Sequence, residues 1–377
     1  MKTITNTILT AGAALAIIGC CGPKETGTPA GELLARLDAA AAEGKFYYAH
    51  QDDAVYGHSW RVEDVENDPL ERSDVAAVCG SAPGMVGFDL GGIEMGDAAN
   101  LDSVDFALMR RAAVSHVAKG GIVTFSWHSR NPLTGGDAWD ISSAEVVEYV
   151  LDGGAGHGMF MEWLGRTADF LLSLRDADGK LIPLIFRPWH ENIGSWFWWG
   201  GKLCTPEQYI ALYRLTRDYM SGRGLDNIVW AYSPNSDISA EEYFSRYPGD
   251  EYVDILGVDQ YQFLEDPAKF ASEQERLAAA SIYFIERMRF DLKYMAEFAA
   301  EHGKLIAVSE TGFEGIPYPK WWTEVLLDGV ADAPVCYVLT WRNAWDKPGH
   351  FYAPFEGSAD AEDFIEFYRN ERTIFLK

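Results

Sequence analysis

The sequence predicts an α/β fold of the (β/α)8, or TIM barrel, type: a single domain with long loops at the C-terminal face. Three observations predict it. Eight short apolar segments recur between residues 46 and 342. Helical patterns separate them. No glycine-rich phosphate loop follows the first segment, as a doubly wound open sheet would normally show.

The apolar segments are 46–50, 85–89, 121–128, 181–191, 227–235, 253–261, 304–311 and 335–342. Most are continuous rather than alternating, as in Ile122-Val123-Thr124-Phe125. Strands covered on both faces of a parallel sheet read this way. Helical patterns lie between them, for example at 103–119, 159–176, 206–222 and 282–302. Thr205-Pro206 opens the third of these with a capping hydroxyl and a proline at the first helical position. Gly222 and Gly303 stand where two of the helices should stop. Gly91-Gly92 is too little to count as a phosphate loop, and no Pro/Ser-rich linker divides the chain.

With 377 residues, 48% hydrophobic and 23% charged, the chain can bury a large core. The domain is expected over 32–377, after a leader at 1–19 and a short polar tether at 20–31. Lys2 precedes an apolar run at 8–19, too short to span a bilayer and suited to a signal peptide. The run ends in Ile17-Ile18-Gly19-Cys20, which resembles a bacterial lipobox. That resemblance implies lipidation of Cys20 and export as an outer-membrane lipoprotein, the periplasmic face being favoured over the cell surface. Membrane contact is then expected only through the N-terminal lipid. Cys79, Cys204 and Cys336 remain, widely spaced and without a CxxC, so neither a zinc site nor a disulfide framework is indicated.

Acidic residues outnumber basic ones 57 to 31, giving a net charge of −26. No basic footprint exists for nucleic acid, and an anionic membrane surface would repel the chain. No cofactor and no metal is expected: His128, His190 and Glu191 lack the spacing of a helical zinc site. A monomer is expected.

A barrel places its chemistry at the C-terminal strand ends. Those ends supply His50, Asp89, Trp127-His128, His190-Glu191, Asn235, Asp259 with Tyr261, Glu310 and Trp341-Arg342. Glu191 follows a strand of Leu, Ile and Phe, an apolar setting that raises a carboxyl pKa into the range of a general acid. A pairing of Glu191 with Arg187 is the structural alternative. Glu310 ends the seventh segment, in Val308-Ser309-Glu310-Thr311-Gly312. Two glutamates facing across a barrel mouth suit cleavage of a glycosidic bond. Thirteen Trp, 18 Tyr and 20 Phe, with four Trp between Trp189 and Trp199, suit sugar rings that stack on aromatic faces. Trp163 shares a helical face with Phe160, Leu164 and Phe170 and reads as core. Trp60, Trp230, Trp321 and Trp322 receive no role, and the acidic run at 360–363 reads as a solvated face.

Trp127-His128-xx-Asn131-Pro132, the stretch Arg187 to Gly200, Asp259-Gln260-Tyr261, Ser309-Glu310-Thr311-Gly312 and Trp341-Arg342-Asn343 resemble glycoside hydrolase family 26, the β-mannanases of the large retaining-glycosidase clan. The resemblance runs through most of the mature chain. It implies a retaining double displacement on β-1,4-mannan, galactomannan, glucomannan or manno-oligosaccharides. Glu191 would be the acid/base and Glu310 the nucleophile, with carboxyl groups about 5–5.5 Å apart. By the same resemblance His190 and Tyr261 flank the glutamates, and His128 lies near the scissile sugar. Trp196 is a platform on the leaving-group side. Trp341 and Arg342 bind on the non-reducing side, where His350 can join them. A β-glucanase, a β-1,3-xylanase, an exo-acting mannobiose-releasing enzyme and a non-catalytic glycan-binding lipoprotein remain as alternatives.

Overall fold

The computed structural model describes residues 27–376. Eight parallel strands form its centre: β1 (Phe46–Gln51), β2 (Met85–Asp89), β3 (Ile122–Trp127), β4 (Leu184–Pro188), β5 (Ile228–Tyr232), β6 (Ile255–Gln262), β7 (Leu305–Phe313) and β8 (Val335–Thr340). Each pairs with the next, and β8 returns to β1 from Tyr47↔Tyr337 to His50↔Thr340, which closes the barrel. All eight coincide, within a few residues, with the predicted segments. A two-residue strand, Thr373–Ile374, adds to the outside of β1.

Helices α1 (Pro29–Ala42), α2 (Asp74–Cys79), α3 (Phe106–Ala118), α4 (Val146–Val150), α5 (His157–Leu172), α6 (Pro206–Gly222), α7 (Ala240–Phe244) and α8 (Glu273–His302) follow in chain order. A π-helical turn (Trp322–Leu326) runs into α9 (Leu327–Gly329), and α10 (Ala361–Arg369) precedes the C-terminus. Thr205 caps α6 in a full capping box, as its sequence implies. Helix α6 ends at Gly222, but the left-handed residue that follows is Gly224. Helix α8 starts nine residues before the predicted 282, because Ser272 caps its N-terminus.

Helix α1 closes the bottom of the barrel. Thr28 caps it, accepting from Gly31 N at 3.1 Å, with Pro29 at the first turn. Ala30, Leu33, Leu37, Ala40 and Ala41 recur at helical spacing and are all buried. They cluster with inward-facing strand residues including Ala49, Met85, Ile122, Val229 and Ala307. Arg36 ties the helix down by donating to Tyr47 Oη at 2.9 Å and Gly120 O at 2.7 Å. Residues 29–31, expected in the tether, are therefore helical. The leader, Cys20 and the remainder of the tether through residue 26 lie outside the described residues. Leu37 is fully buried in this plug, so Leu37→Ala is expected to lower stability by about 2–4 kcal/mol in denaturant titration.

The tryptophans without a role are core: Trp230, Trp321 and Trp322 are buried, and Trp60 donates to Asp74 at 2.7 Å. The run at 360–363 is not the solvated face expected of it. Asp360 is buried and accepts from Trp322 Nε1 at 2.8 Å, and Asp363 accepts from the Thr323 backbone at 3.1 Å. Both carboxylates pin the π-helical turn to α10.

One irregularity of the sheet shapes the site. Val258 pairs with Val308, but Asp259 pairs with Glu310, so Ser309 is an extra residue in β7. Such a bulge re-aims the side chains around it. Here Ser309 Oγ donates to Asp259 Oδ1 at 2.7 Å, and Glu310 also faces the barrel mouth.

Candidate active site

Glu310 is gripped by two donors from neighbouring strands. Tyr261 Oη, on β6, donates to Oε1 at 2.5 Å, and Arg187 Nη2, on β4, donates to Oε2 at 2.5 Å. Arg187 also donates from Nη1 to Asp259 Oδ2 at 2.7 Å and to Ser233 Oγ at 3.2 Å. Arg187 is thus a partner of Glu310 and Asp259 rather than of Glu191. Both oxygens of Glu310 are fixed in place by charged or short hydrogen bonds.

Glu191 is positioned by a strained turn. The chain leaves β4 with Trp189 at φ 57° and Glu191 at φ 51°, a left-handed backbone that costs most non-glycine residues energy. Surrounding groups hold it there. Glu191 N donates to Ser233 O at 2.8 Å, Tyr209 Oη to Trp189 O at 2.9 Å, and Trp199 Nε1 to His190 O at 2.8 Å. Gly194 N donates to Asn235 Oδ1 at 2.6 Å. The Trp189 ring packs against Trp127, Trp198 and Trp199 with centroids 4.9–5.4 Å apart.

The aromatic cluster therefore divides. Trp189, Phe197, Trp198 and Trp199 are buried and brace the turn, whereas Trp196 is 40% exposed. Trp196 Nε1 donates to Glu191 Oε2 at 2.5 Å. Burial first, and the negative charge of Glu310 second, push the Glu191 pKa up to about 7 against that hydrogen bond.

His128 and His190 meet each other, with their Nε2 atoms 3.1 Å apart and rings edge-on at 4.5 Å. The Trp341 ring is 6.4 Å from His128. Arg342 reaches Asp102 Oδ1 at 2.9 Å, and its guanidinium lies 5.9 Å from the Tyr56 ring. His350 sits at the rim, 2.7 Å from Glu314 Oε1, with its ring 5.2 Å from Tyr352, which in turn lies 5.6 Å from Tyr261. The predicted strand-end residues thus gather at the C-terminal face, except that His50 is turned to Asp53 Oδ1 at 3.0 Å and makes no contact with the others. Arg187, Asp102, Tyr56 and Trp139 had no assigned role there. Arg187 carried its signal in its place on β4, but Tyr56, Asp102 and Trp139 lie in loops whose course no local pattern reveals.

This fold and this site define a glycoside hydrolase: two glutamates at the ends of β4 and β7, one protonated near neutrality and the other clamped by a cation. The chain belongs to glycosyl hydrolase family 26, whose family model matches residues 47–282. Glu191 lies within that match and Glu310 beyond it. A β-mannanase of family 26 from Bacteroides ovatus shares 43% identity over 92% of this chain and 95% of its own, at a TM-score of 0.84. An endo-β-1,4-mannanase from Cellulomonas fimi shares 31% over 94% and 77%, at 0.79. A mannan endo-1,4-β-mannosidase from Bifidobacterium adolescentis is 29% identical over 90% of this chain, which spans only 35% of that relative.

Proposed function

We propose that the chain hydrolyses β-1,4-mannosidic bonds in mannan, galactomannan or glucomannan, and in manno-oligosaccharides, by a retaining double displacement. The observation that carries this is the asymmetry of the two glutamates. Glu191, with its pKa near 7, can deliver a proton, while Glu310 is aimed by Tyr261 and Arg187.

In the first step Glu191 protonates the glycosidic oxygen and a Glu310 oxygen attacks the anomeric carbon. The C–O bond to the leaving sugar breaks and a glycosyl ester forms. That ester removes the charge of Glu310, one of the two causes that raise Glu191. Glu191, now ionised, becomes a stronger acid and so remains deprotonated. It then takes a proton from water as the water oxygen attacks the anomeric carbon, and Glu310 leaves as a carboxylate. The first configuration is restored after two inversions.

The exposed Trp196 face beside Glu191 suits a sugar on the leaving-group side. Trp341, Arg342 and His350 suit the non-reducing side, with His128 near the scissile sugar and His190 flanking the glutamates. A substrate without charge also suits a chain of net charge −26. Incubating the pure protein with mannan and counting reducing ends tests this reading, and the products from manno-oligosaccharides report endo or exo action. Release of reducing ends is expected. Mannan binding without release at any pH would favour a glycan-binding lipoprotein instead.

We also propose lipidation at Cys20 and an outer-membrane location, with the periplasmic face favoured. The lipobox-like Ile17-Ile18-Gly19-Cys20 supports it. Among the described residues, no helix is long and apolar enough to cross a membrane. Cys20→Ala is expected to move the protein from the membrane fraction to the soluble one and to abolish incorporation of labelled fatty acid. A membrane fraction unchanged by the substitution would contradict this.

A further inference from the structure

A buried acid behind the histidine pair has no part in the double displacement. Asp89 ends β2 and is fully buried. Gly91 N donates to its Oδ1 at 2.7 Å, and Ser126 Oγ to its Oδ2 at 2.7 Å. The same Oδ2 lies 2.7 Å from His128 Nδ1. On the other edge of that ring, His128 Nε2 faces His190 Nε2 at 3.1 Å. Such a contact holds one proton, so the two rings are not charged together. Trp139 stacks on His128 at 5.1 Å and 16°, and Phe197 meets it edge-on at 5.2 Å. The imidazole therefore has one orientation.

We propose that Asp89 is a positioning residue for the catalytic acid: its 2.7 Å contact fixes both the ring and the positive charge of His128, whose far edge meets His190, the residue directly before Glu191, at 3.1 Å, and that charge acts on Glu191. This rests on the reading of Glu191 as the acid/base.

The groups that face His128 agree on where the charge goes. Asp89 and Asp102 approach from β2 and its loop, Glu310 from β7, and His190 and Glu191 from the turn after β4. Burial is the largest influence on His128 and opposes its charge, but Asp89, Glu310 and Asp102 together outweigh it and raise its pKa. His190 is driven well below the ordinary histidine range by burial first, then by the charges of Arg187 and His128. The charge of His128 in turn draws the Glu191 pKa down, against burial and Glu310. Loss of that charge must therefore let Glu191 keep its proton to higher pH.

The test is the titration of the Glu191 carboxyl, followed by NMR of protein labelled with ¹³C-glutamate, in the wild type, Asp89→Asn and His128→Gln. The expected midpoint is about 7 in the wild type and higher by about half a pH unit in each variant. The double variant should move no further than His128→Gln alone. A midpoint unmoved by Asp89→Asn in the folded protein overturns the proposal, because a merely structural Asp89 would change stability and not the titration. If Asp89→Asn does not fold, His128→Gln decides: an unmoved midpoint there overturns the proposal as well. The titration needs no substrate. Absence of mannan turnover in the wild type would therefore overturn the functional reading, and an unmoved midpoint this one.

Discussion

Glu310→Ala is expected to lower kcat/KM on mannan by about 10⁴-fold or more, roughly 5.5 kcal/mol of transition-state stabilisation. The substitution removes the carboxylate proposed to form the glycosyl ester. It also leaves Tyr261 Oη without its 2.5 Å acceptor. Arg187 keeps Asp259, its partner at 2.7 Å, so the buried cation is not stranded and the barrel should remain folded. Circular dichroism and thermal unfolding separate loss of chemistry from loss of structure. Restored turnover with azide, giving the inverted glycosyl azide, is expected, because a small anion can occupy the space the carboxylate vacates. Near wild-type activity in Glu310→Ala would exclude it as the nucleophile.

Glu191→Ala is expected to cost about 10²- to 10⁴-fold on mannan, the range of general acid catalysis. The loss depends on the leaving group. An aryl mannoside whose leaving group needs no proton should form the glycosyl-enzyme at close to the wild-type rate, and the intermediate should then accumulate because no base activates water. Equal losses on both substrates would assign Glu191 a binding role instead. The sign of the pH dependence follows from the same residue. A general acid with a pKa of about 7 is protonated below that value, so kcat/KM should fall as pH rises through about 7. In Glu310→Gln the negative charge that helps to raise Glu191 is gone, and the Glu191 midpoint should drop below 7.

The barrel was legible because each strand is buried on both faces and so reads as an unbroken apolar run. The two glutamates were legible because a barrel assigns meaning to the last residues of each run. The tryptophans after β4 were harder to read. A sequence cannot separate an aromatic that stacks on sugar from one that braces a left-handed turn, since both follow the same strand. In the structure Trp189, Trp198 and Trp199 brace, and Trp196 alone of the four is open to solvent.

The partner of Arg187 depended on a feature invisible to local pattern. The bulge at Ser309 sets Glu310 opposite Asp259 on β6, and both acids then converge on Arg187. Asp102 and Tyr56 meet Arg342 through loops that follow different strands, so their pairing is a long-range matter. Helix α1 was missed for a different reason. Its small, apolar face suits the bottom of a barrel, but next to a polar tether the same residues carry no signal of what they cover.

A double displacement makes one outcome unavoidable: the first-formed sugar keeps the β configuration of the bond that was cut. Proton NMR of manno-oligosaccharide hydrolysis, recorded before mutarotation equilibrates the anomers, tests this most directly. The β-anomer of the new reducing end appearing first, with the α-anomer growing in later, is the predicted result. The α-anomer first would contradict the roles given to Glu191 and Glu310.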